Sequence, residues 1–108
     1  MTLTCAIIDD EPLAISLLES YVNKTPFLRL TAKFNSALEA LPVLSAQPVE
    51  LLFLDIQMPD MDGYETIKIM RECGYVLPVV ALTAHAMQSD KQRCLDAGTD
   101  AYLSKPLR

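Results

Sequence analysis

Five polar residues stand at or just beyond the ends of short apolar runs, and their side chains are of the types that handle phosphoryl groups. They are Asp9, Asp10, Asp55, Thr83 and Lys105. Carboxylates gathered at one place repel one another, and a hard divalent cation with oxygen ligands relieves that repulsion. Mg²⁺ fits best, because it takes one or two carboxylates and completes its shell with waters and phosphate oxygens. A lysine ammonium and a threonine hydroxyl beside such a cation favour a phosphoryl group over a sugar or an apolar substrate.

Asp55 is the best-placed nucleophile among these residues. It directly follows residues 51–54, an apolar run without alternation that is typical of a strand covered on both faces. An aspartate can accept a phosphoryl group as an acyl phosphate. The rest of the site would then supply positioning and charge neutralisation, since phosphoryl transfer asks for little else.

The elements that must position these residues alternate along the whole chain. We predict strands at residues 3–8, 28–34, 51–54, 79–82 and 101–103, with a segment of helical periodicity between each pair. This alternation specifies an α/β fold with a doubly wound parallel sheet and right-handed crossovers. The carboxyl ends of parallel strands share one rim of the sheet, where ligands bind. The five polar residues should therefore meet there.

Caps and a proline mark the predicted helices. Ser36 with Glu39 matches the capping-box pattern at the start of the second helix, and Pro42 should kink or shorten that helix. Asp62 with Glu65 matches the same pattern at the start of the third helix. The predicted apolar face of the first helix consists of Leu13, Leu17, Leu18, Tyr21 and Val22.

Length, composition and charge favour one globular domain that covers residues 1–108. The chain is 51% hydrophobic and carries a formal net charge of −5 at pH 7. This acidic balance gives no electrostatic footprint for a nucleic acid or an anionic membrane, and no apolar run approaches the roughly 20 residues that span a bilayer. We therefore expect a cytoplasmic protein with neither partner. Three cysteines without CxxC spacing are predicted to be reduced packing residues: Cys5, Cys73 and Cys94.

Four motifs, read in order, resemble one family. They are IIDDEP around Asp9 and Asp10, LFLDIQMPDMDG around Asp55, ALTA with Thr83, and YLSKP with Lys105. Each is weak alone, but together, at successive strand ends, they make the chain resemble a response-regulator receiver domain of two-component signalling. The resemblance covers nearly the whole sequence. It implies the flavodoxin-like fold of the chemotaxis regulators, a five-stranded sheet in the order 2-1-3-4-5.

The resemblance implies a role for each residue at the rim. Asp55 would accept a phosphoryl group from a phosphohistidine on a histidine kinase or a histidine phosphotransfer protein, and Lys105 would pair with the bound phosphate. Asp10, Asp55 and the backbone carbonyl of Gln57 would ligate Mg²⁺, with Asp9 acting through a water. The domain would be regulatory and not an enzyme for outside substrates, although it would catalyse its own phosphorylation and dephosphorylation.

The resemblance also implies a conformational switch and residues that set the lifetime of the phosphorylated state. Thr83 and Tyr102 match the family's switch pair: the Thr83 hydroxyl would move to the new phosphate, and Tyr102 would turn inward to fill the vacated space. Gln57 and His85 stand two residues beyond Asp55 and Thr83 respectively. They would flank the path of the water that attacks the acyl phosphate, and so would set the lifetime of the signal.

The sequence departs from the family pattern in two ways. The chain ends at Arg108, where the family continues for about one more helix. We therefore expect a C-terminally short domain without its fifth helix and with an exposed apolar patch beside the first helix, which a homodimer partner or a swapped element could cover. In addition, the half up to about Asp60 resembles receivers attached to LytTR-type DNA-binding domains, whereas the second half resembles receivers of hybrid histidine kinases, as in a recombined or engineered chain.

Two other functions are open at this point. A phosphohydrolase of the aspartyl-phosphate type would place a second aspartate two residues after its nucleophile, but Gln57 occupies that position. A truncated or chimeric receiver-fold scaffold or interaction module would keep the site residues and no longer switch. The sequence does not separate such a module from a working receiver.

Overall fold

The computed structural model describes residues 2–58, 61–83, 92–93 and 95–104. Strands and helices alternate along these residues as the sequence predicts. Residues 92–93 and 95–96 are helical, in the segment where the fourth helix is predicted. The elements are β1 (Leu3–Ile8), α1 (Pro12–Asn23), β2 (Leu28–Phe34), α2 (Ala37–Ala46), β3 (Leu51–Asp55), α3 (Gly63–Glu72), β4 (Val79–Thr83) and β5 (Ala101–Ser104).

The five strands form one parallel sheet in the order β2-β1-β3-β4-β5. This confirms the predicted flavodoxin-like order and the place of β2 at an edge. The register pairs Ile8 with Leu54 and Asp55 with Leu82, so β1, β3 and β4 end at nearly the same level. Their carboxyl ends therefore form one rim. The strands β3, β4 and β5 each run one residue further than predicted.

Residues of the central strands alternate between two apolar layers. On one face Ala6, Ile8 and Leu54 pack with residues of α2 and α3. On the other face Cys5, Ile7 and Phe53 pack with Leu18 and Val22 of α1. Successive side chains of a strand point to opposite faces, so strands covered on both faces are apolar at every position. This explains the unbroken apolar runs in the sequence.

The face of the sheet against α1 is covered at its centre and exposed at β5. Leu103, the register partner of Leu82, is 41% exposed, so the apolar exposure that the sequence predicts on this face is present at β5. Phe53 and Leu82 are buried, and Leu51 and Val80 are partly buried.

Within the described ranges, no helix has the length and apolar character needed to cross a membrane.

Three predictions about single residues are wrong. Leu13 is 86% exposed, because at 3.6 residues per turn it lies about half a turn round α1 from the buried Val22. Ser36 is the N-cap of α2, but its side chain makes no capping hydrogen bond. Cys73 is exposed at the C-cap of α3 and is not a packing residue. Pro42 lies inside α2 without ending it. Cys94 lies outside the described residues.

Candidate functional site

Four acidic side chains gather at the rim of the sheet. Asp9, Asp10 and Glu11 follow β1, and Asp55 ends the neighbouring strand β3. Each offers one carboxylate oxygen, and these four oxygens all lie within 4.8 Å of one another. The structure thus brings together the three carboxylates that the sequence places at this rim. Glu11 is the fourth member, and its only sequence signal is its place in the acidic triplet after β1.

Asp9 and Asp55 form the buried half of this cluster, and the chain holds them in the same way. Asp9 is 0% exposed and Asp55 is 1% exposed. The backbone N–H of Glu11 donates to Oδ1 of Asp9 over 2.9 Å, and the backbone N–H of Gln57 donates to Oδ1 of Asp55 over 3.0 Å. Each aspartate therefore closes a local turn by bonding the backbone two residues on. These turns fix where the two carboxylates point.

The backbone of Ile56, in the loop after Asp55, lies close against the backbone of Gly63 at the start of α3. A Cβ atom at Gly63 would lie 2.5 Å from Cα of Ile56, so only glycine fits at this position. The backbone N–H of Gly63 donates to the carbonyl of Ile56 over 3.2 Å. At the adjoining start of α3, Oδ1 of Asp62 accepts a hydrogen bond from the backbone N–H of Glu65 over 2.9 Å, which confirms the predicted cap.

The electrostatics of the cluster favour a divalent cation. At 4.8 Å and an effective dielectric constant of about 20, two carboxylate charges repel by roughly 3–4 kcal/mol. The four described acidic side chains that converge here offer carboxylate oxygens, which suit a hard cation such as Mg²⁺. Asp9 and Asp55 also have their Oδ2 atoms buried, so water screens these two charges poorly. The donor set therefore fits a magnesium ion.

Thr83 and Tyr102 lie on the two neighbouring strands at the other side of Asp55. Thr83 ends β4 and is 1% exposed. Tyr102 on β5 pairs with Ala81, which lies two residues before Thr83 on β4. Residues two apart on a strand share a face, so Thr83 and Tyr102 belong to the same face of the sheet. Tyr102 is partly exposed and packs against the buried residues Ile56 and Ala81, together with Tyr64.

Of the remaining predicted site residues, Gln57 is described by the structure and the others are not. Gln57 is exposed and lies beside Asp55 through its backbone bond. His85 and Lys105 lie outside the described residues, as does Pro106 of the YLSKP motif.

Comparisons with known proteins agree on one family. The family model described as "Response regulator receiver domain" matches residues 5–108. The sensor histidine kinase RcsC of Salmonella typhimurium is 40% identical over 101 residues, which are 94% of this chain and 10% of that protein. The chain thus spans about a tenth of the length of this relative. The match extends over both halves of the chain, so the resemblance to sensor kinases is not confined to the second half.

Solved structures show the same architecture. A response regulator from Chloroflexus aurantiacus J-10-fl is 29% identical, with a TM-score of 0.87 over 100% of this chain and 88% of that one. The isolated receiver domain of RcsB from Salmonella enterica serovar Typhimurium, solved with the phosphomimetic BeF₃⁻, has a TM-score of 0.90 at 18% identity. It covers 100% of this chain and 80% of that one. At 18% identity the second likeness concerns the fold alone.

Proposed function

Because the chain belongs to the response regulator receiver domain family of two-component systems, we propose that it takes a phosphoryl group onto Asp55 and passes on a conformational change. The carboxylate cluster carries this proposal. Two buried aspartates and two further acidic side chains converge within 4.8 Å at the carboxyl ends of β1 and β3. Such a concentration of negative charge costs stability, and it is useful where a cation and a phosphoryl group are to be bound.

Mg²⁺ would be held by the carboxylates of Asp10 and Asp55 and the backbone carbonyl of Gln57, with Asp9 acting through a water. Glu11 has a carboxylate oxygen within the same 4.8 Å and is available as a further acceptor for a metal-bound water. When bound, Mg²⁺ supplies charge neutralisation to the attacking aspartate and to the phosphoryl oxygens. The turn that Asp9 closes with Glu11 keeps its carboxylate pointing in one direction before any ligand arrives.

The transfer itself needs one bond to form and one to break. An oxygen of the Asp55 carboxylate forms the new bond to phosphorus, while the bond between phosphorus and the donor's imidazole nitrogen breaks. The electron pair of that bond stays on the imidazole nitrogen, and the ring, protonated on its other nitrogen, would leave as neutral imidazole. The donor would be a histidine kinase or a histidine phosphotransfer protein. Lys105 would pair with the transferred phosphate, and the Thr83 hydroxyl would donate a hydrogen bond to it.

The signal would leave the site through Thr83 and Tyr102. Thr83 is buried at the end of β4, and Tyr102 lies partly exposed on the adjacent strand, on the same face. When the Thr83 hydroxyl moves to the phosphate, Tyr102 would turn inward and change the outer surface of β5. Gln57 and His85 would set the lifetime of the acyl phosphate, and the exposed side chain of Gln57 supports this role because water reaches it. Residues 1–108 would act as the receiver domain of a two-component phosphorelay in the cytoplasm.

Intact-mass analysis after incubation with acetyl phosphate tests this function. The wild-type chain should gain the mass of one phosphoryl group when Mg²⁺ is present and none when EDTA replaces it. Asp55→Asn should gain none under either condition. Asp96→Asn is the matched control, because it makes the same change at an exposed aspartate outside the carboxylate cluster, and it should behave as wild type.

A folded wild-type sample that gains no mass would contradict the proposal. Circular dichroism of each sample establishes that it is folded. That outcome would favour a receiver-fold scaffold or interaction module that keeps the residues and no longer switches. Phosphorylation that persists in Asp55→Asn would instead move the acceptor to another residue.

A further inference from the structure

The guanidinium of Arg93 lies over the ring of Tyr64, with 4.1 Å between Cζ and the ring centroid. Tyr64 is in the first turn of α3, and Arg93 is in the segment that precedes β5. An arginine within about 6 Å of an aromatic ring centroid is attracted to the ring face. This contact therefore ties α3 to the segment that leads into β5, two parts of the chain that are far apart in sequence.

The ring of Tyr64 also packs on the support that Tyr102 uses. Both tyrosines contact a small cluster whose buried members, among the described residues, are Ile56 and Ala81. Ile56 directly follows Asp55, and Ala81 is the register partner of Tyr102 on the neighbouring strand. The cluster thus connects the strand that carries Asp55 with the tyrosine of the proposed switch, and Tyr64 is the member that Arg93 covers.

We propose that the contact between Tyr64 and Arg93 is a latch on the receiver's conformational equilibrium. It stabilises the arrangement in which Tyr102 is partly exposed, and it opposes the arrangement in which Tyr102 turns inward. The proposal rests on the proposed function, because it regulates the same switch. Neither residue is a member of the carboxylate cluster, so both act as positioning residues and not as catalytic ones.

The physical reason is that both rings pack against the same buried residues. When one ring changes its contacts with Ile56 and Ala81, the packing of the other ring changes too, because close-packed groups rearrange together. Turning Tyr102 inward therefore alters the packing of Tyr64 and weakens the position from which its ring faces Arg93. A contact made better in one arrangement than in the other shifts the equilibrium by its own differential free energy. Arg93 is exposed, so this contact corresponds to a modest factor, about two- to fivefold.

The ring signals of the tyrosines measure this equilibrium directly. The chain has four tyrosines, so NMR of protein labelled with ¹³C in the tyrosine rings gives few signals, and Tyr102→Phe identifies the one from Tyr102. The full chain is titrated with BeF₃⁻ in the presence of Mg²⁺. In Arg93→Ala and in Tyr64→Leu, the BeF₃⁻ concentration at half conversion should fall about two- to fivefold relative to wild type. The Tyr102 signal should also move toward its BeF₃⁻-bound position before any BeF₃⁻ is added.

Two further variants separate the latch from a general effect of the substitutions. Arg93→Lys keeps a cation that can stand over the ring, so it should restore part of the wild-type midpoint. Arg29→Ala removes an exposed arginine from the edge strand β2, and it should leave the midpoint unchanged. The double variant with Arg93→Ala and Tyr64→Leu should match the single variants, because both act through one contact.

The outcomes distinguish this inference from the function on which it rests. If the wild-type Tyr102 signal does not respond to BeF₃⁻ and Mg²⁺, the proposed function fails. If the wild type responds and Arg93→Ala responds with the same midpoint, or with a higher one, the latch is wrong while the function stands. Arg93 is exposed, so its replacement leaves the core intact. The midpoint of Arg93→Ala therefore tests the latch even if Tyr64→Leu does not fold.

Discussion

Replacing Asp9 with asparagine should make the protein more stable when divalent cations are absent. Asp9 and Asp55 are both buried, and each has a carboxylate oxygen within 4.8 Å of one on the other. The repulsion between the two charges is roughly 3–4 kcal/mol at an effective dielectric constant of about 20. Asparagine keeps an oxygen that can accept the hydrogen bond from the N–H of Glu11, but a neutral acceptor is weaker by about 1 kcal/mol. The expected gain in the free energy of unfolding is therefore about 2–3 kcal/mol.

Urea unfolding, followed by circular dichroism with EDTA and then with Mg²⁺, measures both sides of this effect. In the wild type Mg²⁺ should stabilise the folded state, by about 2.7 kcal/mol at a hundred times its dissociation constant. Asp9→Asn should lose at least half of that stabilisation, because a member of the cluster has lost its charge. Glu72→Gln is the matched control, since it makes the same change of charge at an exposed site at the end of α3, away from the rim. It should alter neither quantity by more than about 0.5 kcal/mol.

The reasoning is refuted if Asp9→Asn is less stable than wild type in EDTA. That result would mean that the negative charge of Asp9 is satisfied within the protein and that repulsion is not the dominant electrostatic effect. It is also refuted if Mg²⁺ stabilises Asp9→Asn as much as it stabilises the wild type. The cluster would then not be where the ion binds.

Three further predictions concern the parts that support the site. Arg71→Lys should lower the free energy of unfolding by about 2–4 kcal/mol in a urea titration, because lysine cannot keep the guanidinium's hydrogen bonds to three backbone carbonyls. A loss of stability below about 1 kcal/mol would contradict this prediction. Gly63→Ala should cost about 1–3 kcal/mol and weaken the BeF₃⁻ response, because the new methyl group would displace Ile56 beside Asp55; an unchanged response would show that this approach does not position the site. Burial raises the pKa of the Cys5 thiol above its ordinary value of 9.0. The stability that the buried neutral thiol contributes is therefore complete below pH 9 and is lost as the pH rises through the folded-state pKa. Cys5→Ala should flatten that alkaline loss, and site-resolved mass spectrometry should find native Cys73 alkylated by iodoacetamide well before Cys5.

The fold could be predicted from the sequence because its signals are local. The strands end where an apolar run meets a charged or polar residue, as at Asp9, and the observed ends agree with the predicted ones within one residue. Once the strands and crossovers are known, parallel topology forces their carboxyl ends to one rim. The meeting of Asp9, Asp10 and Asp55 follows from topology alone and needs no knowledge of side-chain packing.

What the sequence did not predict depends on contacts between distant elements. The helical spacing of apolar residues marks a stripe on α1, but it does not say that Leu13 lies outside that stripe and remains exposed. Nothing local distinguishes Arg93 from other surface arginines until Tyr64 is brought under it. The same holds for Cys73, whose exposure is set by where α3 ends and not by the residue type.

The side chain of Arg71 forms polar contacts near the amino ends of β4 and β5, at the end of the sheet away from the rim. There the Arg71 guanidinium donates hydrogen bonds of 2.9–3.0 Å to the carbonyls of Tyr75, Leu77 and Gly98. These bonds join the end of α3 to the segments that lead into β4 and β5. At the rim, by contrast, the described acidic groups repel one another, and Tyr102 packs against Ile56 and Ala81. Because these bonds hold β4 and β5 near their amino ends, the rearrangement that we propose at the rim would move their carboxyl ends without unfolding the sheet. The strands are thus held near their amino ends and carry repelling charges at their carboxyl ends. A domain needs this arrangement if a phosphoryl group on Asp55 is to change its surface and leave its core unchanged.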